Sequence, residues 1–350
     1  MSAHRYLLYG SERYALPILQ PLADSLRRQG HDVASCLVEG AHGLALASVP
    51  ALDVRQAVAF KPRAVFSASN VVPGFISGAK VQLFHGFNVQ KRDDARGHFR
   101  IRGLFDLYCT QGPATTLPFQ KLQQQHGHFA VVETGWPKLD PLFRDDGGIA
   151  QRLRQPAGGR QVVLFGSTFT ERLSAAPHLL PAVAAQIAGG DRYWLLTLHP
   201  KCAPDLVARY RALQGANAAF VEPEQLVHAE RAADVLVADT SSIVSEMLVQ
   251  RKPVVTFRNR APKPHMLDFD DPARLAEMLQ QAFNPDPVLQ AAIAGYADAI
   301  HPYRDGQSSE RVLAATEALL EGQLGSLKAK PLSALWRRWQ VRKSLGYWGV

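Results

Sequence analysis

Ala79-Lys80-Val81-Gln82-Leu83-Phe84-His85-Gly86-Phe87 and Tyr193-Trp194-Leu195-Leu196-Thr197-Leu198-His199-Pro200-Lys201 decide the reading of this chain. Each places a histidine directly after a stretch that reads as a buried strand. In an open α/β sheet, ligands bind beyond the carboxyl ends of the strands. The two histidines are far apart in sequence, which assigns them to two different sheets. A histidine moves a proton near neutral pH and donates a hydrogen bond to a phosphate. Two such strand ends facing each other across a cleft suit group transfer.

The surrounding sequence alternates short apolar runs with helical patterns, the signature of an α/β fold. Strands are expected at Arg5 to Gly10, Asp32 to Leu37, Ala64 to Ala68, Val81 to Phe84, Leu107 to Thr110 and Ala130 to Glu133. A helix is expected from Tyr14 to Gln29, closed by Gly30. The stretch Asp145 to Arg160 is rich in Gly, Pro, Asp and Arg and reads as a linker. The alternation then restarts. Strands are expected at Gln161 to Phe165, Tyr193 to Leu198, Ala218 to Val221 and Val235 to Ala238, with Val254 to Phe257 the last. A helix is expected from Leu179 to Ile187. The expected organisation is two doubly wound domains facing a central cleft, over residues 1–150 and 151–305, followed by C-terminal helices and a basic, Trp-rich tail over 306–350.

A chain of 350 residues suits two domains. With 47% hydrophobic and 20% charged residues it reads as globular. The net charge of +8 suits nucleic acid, an anionic membrane surface or a phosphorylated substrate. No interleaved aromatic-basic pattern and no zinc-finger spacing is present, so nucleic acid ranks last. Three scattered cysteines, Cys36, Cys109 and Cys202, argue against a disulfide framework and fit a reducing cytoplasm. No apolar run reaches the length of a membrane span, and no signal pattern opens the chain. A cytoplasmic protein is expected, either soluble or peripheral on the inner face of the membrane.

Each candidate site residue has a plainer reading beside the functional one. His85, with Gly86 after it and Lys91 nearby, is a general base or phosphate contact, or else a buried histidine bonded to a carbonyl. Spacing alone leaves these level. His199 with Lys201 suits a diphosphate, to which both side chains donate. Alternatively it begins a turn at Pro200. Asp239-Thr240-Ser241-Ser242 follows a strand and opens a helix, where free N–H groups and the helix dipole favour phosphate. A single Asp or Ser there is an ordinary N-cap. Three hydroxyls exceed what a cap needs, and Glu246 one turn on suits two ribose hydroxyls. Gly166-Ser167-Thr168 is a weaker candidate for a phosphate-facing turn. In Gly135-Trp136-Pro137-Lys138-Leu139-Asp140, Lys138 and Asp140 are candidates for the cleft, while Trp136 and Pro137 read as packing residues.

The tail has its own pattern. Leu332, Leu335, Trp336 and Trp339 share one helical face, and Arg337, Arg338, Arg342 and Lys343 flank it. This suits an anionic membrane surface. The competing reading is a helix docked back on the first domain. Val341, Leu345 and Trp348 are expected to point elsewhere.

Taken in order, these strings resemble the CDP-glycerol glycerophosphotransferase family, which builds teichoic-acid-type polymers. They are Gln82 to Phe87 with Lys91, Phe105 to Pro113, Thr134 to Asp140, Leu198-His199-Pro200, Ala233 to Ser242, and Asp305-Gly306 through Glu310-Arg311. The resemblance spans roughly Val81 to Arg311. It implies a GT-B fold and metal-independent transfer with no cofactor. It makes His85 the general base and His199 a contact to the donor's phosphates, with Ser241 and Ser242 holding the nucleotide diphosphate. On the donor side Gly166, Ser167, Thr168, Lys201, Thr240 and Glu246 join them; on the acceptor side stand Gly86, Lys91 and Lys138. Where members of this family carry Asp-Tyr-Ser-Ser and Gly-Tyr-Pro-Arg, this chain has Asp239-Thr240-Ser241-Ser242 and Gly135-Trp136-Pro137-Lys138.

The leading expectation is a transferase for cell-envelope or capsule polymers. It moves a polyol-phosphate or sugar unit from a nucleotide-activated donor to a polymer or lipid-linked acceptor. CDP-glycerol, CDP-ribitol and a CMP- or UDP-linked sugar stay open as donors. The competing readings are a sugar-nucleotide epimerase or a CMP- or UDP-sugar glycosyltransferase of the same architecture, and a non-catalytic nucleotide-binding protein on the membrane surface.

Overall fold

The computed structural model describes residues 3–86 and 99–349. The chain forms two compact units, Met1–Asp140 with Ala299–Val350, and Pro141–Asp298.

In the first unit six parallel strands, β1 (Arg5–Gly10), β2 (Asp32–Leu37), β3 (Ala64–Ser67), β4 (Ala79–Leu83), β5 (Leu107–Thr110) and β6 (Ala130–Glu133), lie in the order β2-β1-β3-β4-β5-β6. Helices cover both faces, so strands such as β3 and β5 are buried at every position and read as continuous apolar runs. Phe84, Tyr108, Phe119 and Phe129 form an aromatic core behind β4 and β5.

The second unit holds β7 (Val162–Ser167), β8 (Tyr193–Leu198), β9 (Ala218–Phe220), β10 (Val235–Ala238), β11 (Val254–Phe257) and β12 (Leu267–Phe269). Their order is β12-β11-β10-β7-β8-β9, again all parallel. The order reverses between β7 and β10. At such a switch point neighbouring connections leave in opposite directions and open a crevice at the strand ends.

Several expectations change. The stretch 145–160 contains a helix, Ile149–Arg154, that belongs to the second unit. Asp146 caps it by accepting from the backbone N–H groups of Gly148 and Ala150, and Arg154 forms a two-pronged ion pair with Asp234. Polar composition here reflects capping and pairing. The units divide at Asp140/Pro141 and Asp298/Ala299, against the expected 150/151 and 305/306. The last residues are not a separate piece. Asp140 accepts from the backbone N–H groups of Ser308 and Ser309 and from the Ser309 hydroxyl, which fastens the helix Ser308–Leu320 to the first unit. Glu317 on the same helix accepts from Tyr6 and Arg63. Val254–Phe257 is followed by one more strand, β12, too short to stand out in the sequence.

The tail forms the helix Ser333–Ser344. One side docks on the first unit: Ala334 and Val341 are buried, Arg337 donates to the Arg102 carbonyl, and Tyr347 stacks on Phe75. The other side carries Leu332, Leu335, Trp336 and Trp339, all exposed. The helix is thus docked on one face, and the face expected to meet a membrane is exposed. Trp348 does not diverge from this face, because its ring meets Trp339 edge-on at 6.5 Å. Among the described residues, no helix is long and apolar enough to cross a membrane.

Candidate active site

In the first unit His85 stands just past β4, half-buried, with its ring stacked on Tyr14 at 4.7 Å. Tyr14 comes from the turn after β1, so only the sheet brings the two together. Residue Phe84 is held from the other side: the buried Trp136 donates its indole N–H to the Phe84 carbonyl at 2.6 Å. Lys138 lies over the Trp136 ring at 5.3 Å, which ties it to the same strand end. The turn containing Trp136 begins at Gly135, where φ is +79° and a Cβ would lie 2.5 Å from the Ser308 hydroxyl. Only glycine fits there. At Gly86, among the described residues, no atom lies within 4 Å of where a Cβ would stand. Lys91 lies outside the described residues. Asp140 is buried as the cap of the Ser308–Leu320 helix and does not reach a site.

Sequence reasoning missed two residues here, Tyr14 and Gln111. β4 and β5 pair side by side up to Leu83 and Cys109, and Gln111 follows directly after the end of β5. Gln111 is 1% exposed, and among the described residues neither its amide nitrogen nor its oxygen has a hydrogen-bond partner. A buried, unsatisfied carboxamide just past a strand end is rare enough to call for a role.

In the second unit the switch point lies between the segments Gly166-Ser167-Thr168 and Asp239-Thr240-Ser241-Ser242. The Asp239 carboxylate is fully buried and accepts from the Ser167 hydroxyl at 2.6 Å and from the backbone N–H groups of Thr168 and Ala175. Burial pushes its pKa up, and these hydrogen bonds oppose that rise. Ser167 also meets the Ser174 hydroxyl and accepts from Ala176 N–H. The Ser167 hydroxyl is thus engaged within the unit. Gly166 lets the next helix close in, since a Cβ would lie 3.3 Å from Ile243. The Thr168 backbone N–H is taken by Asp239.

The hydroxyls at the β10 end behave differently. Thr240 accepts from Arg260 N–H. Ser242 occupies the N-cap position of the helix Ile243–Val249 without capping through its side chain. No hydrogen bond is made by the hydroxyls of Ser241 or Ser242 among the described residues, and both are at least partly exposed. Glu246 is buried in the first turn of that helix. Just past β8, His199 is exposed, and its Nδ1 accepts from the Lys201 backbone N–H at 3.1 Å. In the neutral ring this places the proton on Nε2. Desolvation, with Phe169 at 4.5 Å from the ring, and then the Lys201 charge lower its pKa, which favours that neutral form. His199 thus presents one N–H donor, fixed by its own turn.

A family model described as CDP-Glycerol:Poly(glycerophosphate) glycerophosphotransferase matches residues 106–317. The chain belongs to this glycerophosphotransferase family. The match takes in His199, Lys138 and the whole β7–β10 switch point; His85 precedes it. A search of curated protein sequences returned no match. Among solved structures, the glycerophosphotransferase chain is similar to that of the wall teichoic acid polymerase TagF, H444N variant. That likeness has a TM-score of 0.63 at 13% identity, over 92% of this chain and 90% of that one. It is also similar to a putative UDP-N-acetylglucosamine 2-epimerase from Listeria monocytogenes (TM-score 0.64, 14% identity, 91% and 97% covered). A third likeness is to an S. aureus MnaA-UDP co-structure (TM-score 0.61, 15% identity, 91% and 97% covered). At these identities the likeness shows the fold, which is GT-B: two Rossmann-like units with parallel six-stranded sheets.

Asp239→Ala strands three donors in a dry interior. The expected loss of stability is roughly 3 kcal/mol, read as a lower urea midpoint with an unchanged slope. A loss within the error of the measurement would show that the carboxylate does not hold the β7–β10 junction.

Proposed function

We propose that this glycerophosphotransferase moves a polyol-phosphate unit from a CDP-linked donor, CDP-glycerol first among the candidates, to a hydroxyl of a polymer or lipid-linked acceptor. The observation that carries the donor half is the β10 strand end. Ser241 and Ser242 offer hydroxyls that the fold leaves unspent, at the switch point of a Rossmann-like sheet and inside the family match. His199 Nε2 adds a neutral donor, Lys201 a charge, and Glu246 a carboxylate for the ribose.

In this reading neutral His85 takes the proton of the acceptor hydroxyl. The acceptor oxygen bonds to the β-phosphorus, the bond from that phosphorus to the bridging oxygen breaks, and CMP leaves. His199, Lys201 and the two serine hydroxyls stabilise the charge that develops on CMP. Assigning that charge to protein donors makes the reaction metal-independent. Glu246 equally suits a sugar-nucleotide enzyme, and product analysis with a UDP-sugar and no acceptor separates an epimerase from a transferase. The product belongs to the cell envelope, teichoic-acid or capsule in type. The protein is proposed to work in the cytoplasm, on the inner face of the membrane.

The test is acceptor-dependent release of CMP from CDP-glycerol, run with a chelator present. His85→Ala is expected to lower turnover on the order of 10²–10⁴-fold with CDP affinity unchanged. His199→Ala and Ser242→Ala are expected to weaken CDP binding about tenfold or more by calorimetry. Near-normal turnover by folded His85→Ala removes the base from this scheme. Unchanged CDP affinity in both other variants removes the second unit as the donor site.

The outward face of the tail is proposed to lie on anionic lipid. Trp336 is 61% exposed, its ring stacks on Trp339 at 4.8 Å, and the Lys343 ammonium lies over Trp339. Residues 322–350 carry six basic side chains and no acidic one. Tryptophan favours the interface, and each basic residue near an anionic surface adds about 1 kcal/mol. In co-sedimentation with phosphatidylglycerol vesicles, Trp336→Ser/Trp339→Ser is expected to remain largely in the supernatant while the parent pellets. Equal partitioning refutes the membrane face.

A further inference from the structure

A groove of about 380 Å³ opens on the first unit, lined by Arg100, Arg102 and Arg337 with Glu39, Gln340 and Ser344 among the other residues. We infer that it binds a phosphodiester of the acceptor, with Glu39 receiving a hydroxyl of the adjoining polyol. This rests on the reading of the first unit as the acceptor side.

Three guanidinium groups reach one groove from two distant stretches of chain, the segment before β5 and the tail helix. None forms an ion pair among the described residues. Arg102 donates to the Asn70 side chain and the Arg100 carbonyl, and Arg337 to the Arg102 carbonyl. These contacts use one nitrogen of each group. The charge on Arg102 is disfavoured by burial first and also by Arg100 and Arg337. Three like charges beside a single carboxylate, Glu39, leave the groove net positive among the described residues, and an oxyanion there meets favourable charge. Phosphate oxygens match the planar fork of arginine, and Gln340 and Ser344 supply neutral hydrogen-bonding groups beside it.

Glu39 selects among anions. A carboxylate on the groove wall repels a bare phosphate but accepts from a hydroxyl. Its backbone is held at φ +50°, a region that side-chain-bearing residues seldom enter, and strain of this kind collects where a ligand is gripped. A polyol phosphate presents both features, an anion for the arginines and a hydroxyl for Glu39. The groove and the base share one neighbour: the Arg102 charge acts on Tyr14, whose ring is stacked on His85. A phosphodiester seated on the arginines thus leaves the end of the same acceptor chain to be activated at His85.

The test is calorimetric titration of the full chain with a soluble glycerol-phosphate trimer, without CDP-glycerol, and in parallel with inorganic sulfate and with phosphatidylglycerol vesicles. The parent is expected to bind the trimer tighter than sulfate. Arg100→Gln/Arg337→Gln is expected to lose about tenfold or more in trimer affinity and to raise the acceptor KM with kcat and CDP affinity retained. Glu39→Gln is expected to narrow the preference for the trimer over sulfate. Trp336→Ser/Trp339→Ser should leave trimer binding intact. Equal trimer binding by parent and arginine variant overturns the inference, as does a parent that binds trimer no better than sulfate. If the arginine variant loses vesicle binding alone, the groove serves lipid headgroups and the acceptor assignment is overturned. Should the double variant unfold, Arg100→Gln alone carries the comparison, because Arg100 is exposed and donates no hydrogen bond among the described residues. Trimer binding is measured without turnover, so a failed transferase assay leaves this result standing.

Discussion

The buried carboxylate of Asp239 holds the second unit's switch point together. One oxygen accepts at once from the Ser167 hydroxyl and from the N–H groups of Thr168 and Ala175, so the ends of β7 and β10 and the start of the next helix share a single anchor. A carboxylate in such a place is costly to desolvate and is retained only when its lone pairs are filled. With that anchor in place, the loop after β10 need not stabilise itself. Among the described residues, the hydroxyls of Ser241 and Ser242 make no hydrogen bond.

The contrast between satisfied and unsatisfied polar groups separates architecture from chemistry. Ser167, Asp140 and Asp239 look like site residues in the sequence, yet the fold occupies each of them. Ser241, Ser242, Gln111 and the Nε2 side of His199 stand at strand ends with capacity left over. Of these only Gln111 is fully buried, and a buried polar group without a partner is unfavourable unless a ligand supplies the missing half. In the first unit the corresponding anchors are Trp136, bonded to the Phe84 carbonyl, and Asp140, bonded to the last long helix but one. Trp136 thereby holds the end of β4, where His85 follows.

The tail joins these two themes. Its helix docks through small and aliphatic positions and leaves the tryptophans outside, so one short segment covers the core and presents a surface. Its arginines divide in the same way. Arg342 lies over Phe75 against the body of the unit, while Arg337 lines the groove with Arg100 and Arg102. Much of the net positive charge is thus placed where phosphate is expected, on the polymer and on the lipid.

Much of this was legible in the sequence. Parallel strands buried on both faces must be apolar throughout, so β1, β3, β7, β8 and β10 stand out as runs. The residues after them follow directly, which is why His85, His199 and Asp239 to Ser242 were found as strand ends. Helical spacing showed the face shared by Leu332, Leu335, Trp336 and Trp339. What local pattern does not encode is the partner of each polar group. That Ser167 turns inward to Asp239, that Tyr14 stacks on His85, and that Arg154 pairs with Asp234 all depend on residues tens of positions away. The sequence by itself determined two α/β sheets and the chemistry at their edges, because side-chain burial leaves a periodic trace along the chain. Only the tertiary structure decided which of those edge residues are consumed as anchors and which remain available, because a hydrogen bond is a matter of distance in space.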